Sequence, residues 1–373
     1  MEQKGQIIKS TILPSPSQVV PSQLSSRIKP RILIVGIVQW ARQEVYLMSA
    51  KYEFEMCTAE NREQFIEFCR ERYQGVVAIY RNNVTSDVSQ RIGKFDKILI
   101  SNLPDSVKFI CCYGVNYDTI DINACSNKKI MVSNTPDPVY NATADTVMFL
   151  ILSTCRNAFA AQNNLRNGNW KFGLQRGTNL AGKTLGMYGM GGVGRVVAKR
   201  AYAFRMKIQY YSRSRLDIGT EAQLHAEYVT LNQLFQTSDI ISLNLPLRPD
   251  TTHIIGQREF SQMKRGVIII NTSAGGLIDE QALVNALESG QVASAGLDVF
   301  ENEPSIQSGL LTRDNVTLLP HISTFTSDTE YEMELLVLRN LQTALNTDKL
   351  VNLVKEQNVE SLSDLFSLAF GGF

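Results

Sequence analysis

Two α/β units in tandem, each a doubly wound parallel sheet with helices on both faces, are the fold this sequence predicts. Three observations predict it. Short β-branched runs alternate with amphipathic stretches from Arg31 onward, the pattern of parallel strands joined by helices. A glycine-rich turn, Gly189–Gly194, joins a good strand to a small-residue helix at the head of a second such series. The length, 373 residues, accommodates two domains that each have a core.

The first unit takes strands at Arg31–Gly36, Gly75–Tyr80, Val107–Tyr113 and Lys129–Val132. The second takes Thr184–Gly189, Lys207–Ser212, Ile240–Leu245, Val267–Thr272, Ala293–Val299 and Val316–Leu319. Between them Asn141–Phe159 is apolar on nearly every face, as expected of a long helix buried by both units. A last amphipathic stretch, Ser327–Asn346, follows the final strand and is expected to return to the first unit. The expected division is therefore residues 30–138 with 325–373 as a discontinuous substrate domain, and 139–324 as an inserted dinucleotide-binding domain. Residues 1–29, rich in Ser, Pro and Gln, read as a disordered head.

Composition narrows the function. A net charge of +1 lacks the basic footprint that phosphate backbones need, so no nucleic-acid partner is expected. No apolar run approaches the roughly 20 residues that span a bilayer; Val147–Leu152 is bounded by Asp145 and Arg156. The six cysteines form no CxxC pair, which points to no metal site and to a reducing compartment. With neither a secretory block nor an Arg-rich leader, the cytoplasm is the expected location.

In Gly189-Met-Gly191-Gly192-Val193-Gly194 the first glycine permits a tight turn and the second lets backbone approach a pyrophosphate. The third lets helix pack closely on strand. A helix N-terminus then offers unpaired amides to phosphate. Glycine-rich turns also serve structure alone, but the strand before this one and the helix after it favour a Rossmann-type cofactor site. Eighteen positions beyond Gly194, where an acid would take the ribose of NAD, stands Ser212, followed by Arg213 and Arg215. A hydroxyl with guanidinium groups accepts a 2′-phosphate, so NADPH is the expected cofactor, with NADH usable if the arginines are merely solvated.

The ordered set GVNYDTID, NATADTVMFLIL, GMGGVG, SDIISLNLPL, INTSAGGLIDE, AGLDVFENEP and LPHIS resembles the D-isomer-specific 2-hydroxyacid dehydrogenase family, in its glyoxylate/hydroxypyruvate reductase branch, over roughly residues 30–345. The resemblance implies reduction of a small 2-oxo acid to the 2-hydroxy acid, a homodimer, and a site in the cleft between two Rossmann-like domains. It implies His321 as the acid that protonates the carbonyl oxygen, Glu303 as the carboxylate orienting it, and Asp298 beside the nicotinamide carboxamide. Gly192, Val193, Pro246 and Thr272 join the cofactor site by the same resemblance, and Val115 and Asn116 the substrate loop. An imidazole that titrates near neutrality fits the acid's role. Each residue also has a bland reading: Glu303 capping a turn before Pro304, His321 bonded at a strand end, His225 and His253 at the surface.

Two positions depart from the family. Ala274 stands where the family has the arginine that binds the substrate's carboxylate and keto oxygen, and Asn116 stands where it has glycine. Losing a donor of that kind costs on the order of 10²–10³ in rate. Lys264 and Arg265 precede the strand at its far end and are no evident substitute. Three readings stay open: a 2-oxo acid reductase impaired at the clamp, a divergent dehydrogenase whose substrate needs no clamp, and an inactive NAD(P)-binding sensor or scaffold.

Overall fold

The computed structural model describes residues 28–82, 87–115 and 117–358; of the head, that leaves Ile28 and Lys29. The sequence folds into two parallel sheets. The first holds β1 (Arg31–Val35), β2 (Glu53–Met56), β3 (Val76–Asn82), β4 (Phe109–Tyr113) and β5 (Met131–Ser133), in the order β2-β1-β3-β4-β5. The second holds β6 (Thr184–Tyr188), β7 (Lys207–Tyr211), β8 (Ala226–Tyr228), β9 (Ile240–Leu243), β10 (Val267–Asn271), β11 (Val292–Leu297) and β12 (Val316–Leu318). Their order is β12-β11-β10-β9-β6-β7-β8, and each ladder is parallel.

The ten expected strands are present, and β2 and β8 are additions. Both lie at sheet edges. Glu53-Phe-Glu-Met56 is exposed or half-exposed throughout, and Ala226–Tyr228 is three residues long, so neither writes the apolar run by which a buried parallel strand is recognised.

The connecting helix runs Asp137–Cys155 rather than to Phe159. It stops because Asn157 takes a left-handed conformation (φ +49°), and a second helix, Ala158–Arg166, begins after it. Ala144, Val147, Leu150 and Ile151 bury against the second sheet. The approach is close: a Cβ on Gly296 of β11 would lie 2.9 Å from Leu150 Cβ.

The helix Ser327–Thr347, capped by Thr326 Oγ1, leaves the last strand and packs on the first sheet. Met333, Val337, Leu338, Leu341 and Ala344 form one buried cluster with Ile32 and Ile34 of β1, Tyr80 of β3 and Phe109 and Tyr113 of β4. Their spacing is the apolar stripe of an amphipathic helix. The chain thus crosses from the first sheet to the second and comes back, leaving the carboxyl ends of both sheets to carry loops. In open parallel sheets that is the edge at which ligands bind.

Candidate active site

Strand ends place the site. The loop after β6 is the glycine turn. Gly189 has φ +100°, and a Cβ there would fall 2.3 Å from the Asn244 carbonyl oxygen, so a side chain is excluded twice over. A Cβ on Gly194 would come 2.8 Å from the Gly189 carbonyl, which is the close helix-to-strand packing expected of the third glycine. Gly192 lies under the ring of Tyr140, 2.3 Å from a notional Cβ. Gly191 differs. It has ordinary backbone angles and nothing within 4 Å of its notional Cβ, so open space rather than protein faces it.

The helix Gly192–Ala203 begins there with no side-chain cap, leaving its first amides, including that of Val193, for an anion. Beside it two buried polar atoms have no protein partner: Asn244 Oδ1 beyond β9 and Thr272 Oγ1 at the end of β10. A buried acceptor and hydroxyl left unsatisfied imply a ligand that completes them. These residues therefore fit a dinucleotide. Pro246 lies in the loop two residues beyond Asn244, its carbonyl accepting from Thr251 Oγ1 at 2.8 Å.

Beyond β7 the two arginines diverge. Arg215 is engaged: Nε and Nη2 make two 2.8 Å bonds to the Glu221 carboxylate, and its guanidinium lies 5.5 Å from the Tyr228 ring centre. The Arg215 bonds, with a further one from Tyr210, hold the Glu221 carboxyl down at about 2. Arg213 is exposed, and Ser212 Oγ donates to the Ser214 carbonyl at 2.6 Å. The Arg213 charge reaches Asp250, whose carboxyl is held below its usual range first by Arg248 bonding and to a lesser degree by Arg213.

At the reaction end, His321 follows β12 with φ +55° and its Nδ1 lies 2.8 Å from Glu303 Oε2. The other Glu303 oxygen accepts the Phe300 amide at 2.9 Å. This fixes the carboxylate on its own loop, and the imidazole side chain stays 60% exposed, so its second nitrogen is available. His225 and His253 are exposed, as expected, though both are partnered: His225 stacks on Tyr202 at 3.8 Å, and His253 Nε2 lies 2.6 Å from Glu301 Oε1.

Asp298, expected beside the nicotinamide carboxamide, is buried. Its side chain is fully buried and accepts the amides of Ile322 (2.8 Å) and Ser323 (3.0 Å) and the Ser323 hydroxyl. It holds the loop that carries His321.

Ala274 is half-buried and extended, its carbonyl held by Asn271 Nδ2 at 2.8 Å. The next residue is pinned: a Cβ on Gly275 would lie 1.8 Å from the Phe300 carbonyl carbon. The loop bearing Ala274 thus presses on the loop bearing Glu303. Lys264 and Arg265, at the far end of β10, are bound to Asp239 at 2.5 Å and to the Ser289 carbonyl at 3.0 Å, so neither stands in for the arginine that the family resemblance implies at position 274. Val115 follows β4 and its carbonyl accepts from Asn134 Nδ2 at 2.8 Å; Asn116 lies outside the described residues. Among the described residues no cluster of His, Cys, Asp and Glu could hold a metal, and no helix is long and apolar enough to cross a membrane.

Residues 148–323 match the family described as "D-isomer specific 2-hydroxyacid dehydrogenase, NAD binding domain". The chain is 46% identical to 4-methyl-2-oxopentanoate reductase A of Aspergillus oryzae, over 88% of this chain and 98% of that protein. It is 38% identical to glyoxylate reductase 1 of Saccharomyces cerevisiae, over 79% of this chain and 85% of that one. Among solved structures, a glyoxylate reductase from Paecilomyes thermophila superposes with a TM-score of 0.81 at 45% identity, covering 89% of this chain and all of the other. Apo D-mandelate dehydrogenase of Rhodotorula graminis gives 0.83 at 29% identity, covering 87% and 97%.

The open space at Gly191 makes a prediction. Gly191→Ala should leave the thermal midpoint nearly unchanged while weakening NAD(P)H binding by about tenfold or more, since the added methyl meets open space rather than protein. Calorimetry and a fluorescence titration of one preparation check both halves. A lowered midpoint with unchanged affinity would make this glycine structural.

Proposed function

The chain belongs to the D-isomer-specific 2-hydroxyacid dehydrogenase family of oxidoreductases, and on that premise we propose that it reduces a small 2-oxo acid to the 2-hydroxy acid with NADPH, at a rate lowered by Ala274. The observation that carries the proposal is the 2.8 Å contact between His321 Nδ1 and Glu303 Oε2 at the carboxyl edge of the second sheet.

Bound between the glycine turn and Thr272, the nicotinamide cofactor would supply the hydride. The chain's own part is proton transfer and orientation. With Nδ1–H donating to Glu303, the imidazolium has its Nε2–H free for the substrate's carbonyl oxygen. Giving up that proton leaves the Nδ1 tautomer already bonded to Glu303, so no reorganisation follows the transfer. Glu303 keeps the ring in place because its other oxygen is fixed by the Phe300 amide. What Ala274 cannot do is gather the substrate's carboxylate and carbonyl, which lowers both orientation and charge stabilisation.

Arg213 and Ser212 support NADPH over NADH, with Arg215 holding the loop through Glu221 rather than meeting phosphate. In this reading the nucleotide unit is 139–324, inserted into a substrate unit of 30–138 and 325–373. Phe159, Leu165, Trp170 and Phe172, large and exposed together beyond the connecting helix, support a homodimer. Six free, buried cysteines fit a cytoplasmic setting. The inactive sensor or scaffold is the alternative, and it rests on Ala274.

Three measurements test this reading. His321→Asn should lower kcat by about 10²–10⁴ with NADPH affinity essentially unchanged; parallel loss of both would assign the histidine to structure. Ala274→Arg should raise kcat/KM on glyoxylate or a larger 2-oxo acid by about 10²–10³, and a flat response would put the defect elsewhere in the pocket. Arg213→Ala should weaken NADPH by about tenfold while sparing NADH; equal weakening would remove the 2′-phosphate role.

A further inference from the structure

The fingerprint Gly-x-Gly-x-x-Gly leaves its fourth position free, yet this chain has Gly192 there. The structure supplies a reason. A Cβ on Gly192 would lie 2.3 Å from Cζ and Cε2 of Tyr140 and 2.6 Å from Cε1, so the hydroxyl end of the phenol covers the first residue of the helix Gly192–Ala203. A side chain at position 192 and the ring of Tyr140 exclude each other.

Two further contacts set this placement. Tyr140 lies in the first turn of the connecting helix Asp137–Cys155. One and two turns on, Ala144 and Met148 bury in a cluster with Val197 and Ala201 of the glycine-turn helix. Farther along both helices, Asp145 pairs with Arg200 Nε at 3.1 Å. Positions 140, 144 and 148 make one row at four-residue spacing, so the packing that joins the two helices delivers Tyr140 to the N-terminal end of the second.

The hydroxyl is left over. Tyr140 is half-buried, and among the described residues no hydrogen bond reaches its oxygen. Burial, and to a lesser degree Asp137, pushes the phenol above its ordinary range, so at neutral pH the oxygen keeps its proton. The first amides of the neighbouring helix have no side-chain cap, and Gly191 beside them faces open space. An O–H donor without an acceptor, set over amides without an acceptor, suits an anion that takes bonds from both.

We propose that the Tyr140 hydroxyl donates a hydrogen bond to the pyrophosphate of the bound dinucleotide, so that the phosphates are held from two helices, by the amides of one and a side chain of the other. The inference rests on the dinucleotide reading of the glycine turn. It is indifferent to the nicotinamide, the 2′-phosphate and the substrate.

Tyr140→Phe keeps the ring on Gly192 and removes only the hydroxyl. The full-length protein and this variant are titrated with NADPH and NADH by fluorescence, and with ADP-ribose and adenosine 2′-monophosphate by calorimetry; their ligand-free thermal midpoints are compared. ADP-ribose has the pyrophosphate without the nicotinamide, and adenosine 2′-monophosphate has neither. The variant should raise the Kd of NADPH, NADH and ADP-ribose by a similar factor of about ten, the loss of one bond to a charged acceptor. Adenosine 2′-monophosphate and the midpoint should not move.

Unchanged affinity for the three pyrophosphate ligands would overturn the proposal. A loss shared by adenosine 2′-monophosphate would overturn it by making the residue structural, and a loss that spares ADP-ribose by placing the hydroxyl at the nicotinamide. Failure of the unaltered protein to bind NADPH, NADH and ADP-ribose at all would instead remove the dinucleotide reading itself.

Discussion

A single buried carboxylate, that of Asp298, holds the reaction end of this molecule together. It stands one residue past β11 and accepts the amides of Ile322 and Ser323 and the Ser323 hydroxyl. A carboxylate with no solvent contact is tolerable only when such donors replace water. The bonds fasten the chain one and two residues beyond His321, so the histidine has little freedom to leave φ +55°, a region that costs a non-glycine residue on the order of 1 kcal/mol. From that fixed backbone the imidazole reaches Glu303, whose loop starts two residues after Asp298. One strand end therefore sets both members of the His321–Glu303 pair, and the contact of Gly275 with Phe300 brings the Ala274 loop to the same place.

Much of this was legible in the sequence, for physical reasons that also explain what was not. Buried parallel strands write themselves as apolar runs, and the glycine turn has few residue solutions, so the interior of both sheets and the cofactor loop could be read. The edge strands β2 and β8 were lost because an edge needs no apolar face on both sides. The end of the connecting helix was lost because Asn157 stops it by backbone conformation rather than by proline or glycine. In the site, His321 and Glu303 sit on consecutive strand ends, and their spacing survives in the linear order. The engagement of Arg215 with Glu221 and the depth of Asp298 are pairings between separated segments. Composition and periodicity carry no signal for them.

Ala274 stands where the family resemblance implies an arginine, and the structure limits what a methyl there can mean. Relative to the arginine that the family resemblance implies there, alanine lacks the charge, while the loop keeps its shape. The carbonyl of residue 274 is still held by Asn271, the following glycine still packs where no Cβ fits, and the loop therefore follows a path that leaves Glu303 and His321 in contact. A chain drifting toward a purely structural role has no use for a left-handed histidine kept in place by a buried carboxylate, since either could relax at a gain in stability. Keeping both strained features favours chemistry over scaffolding.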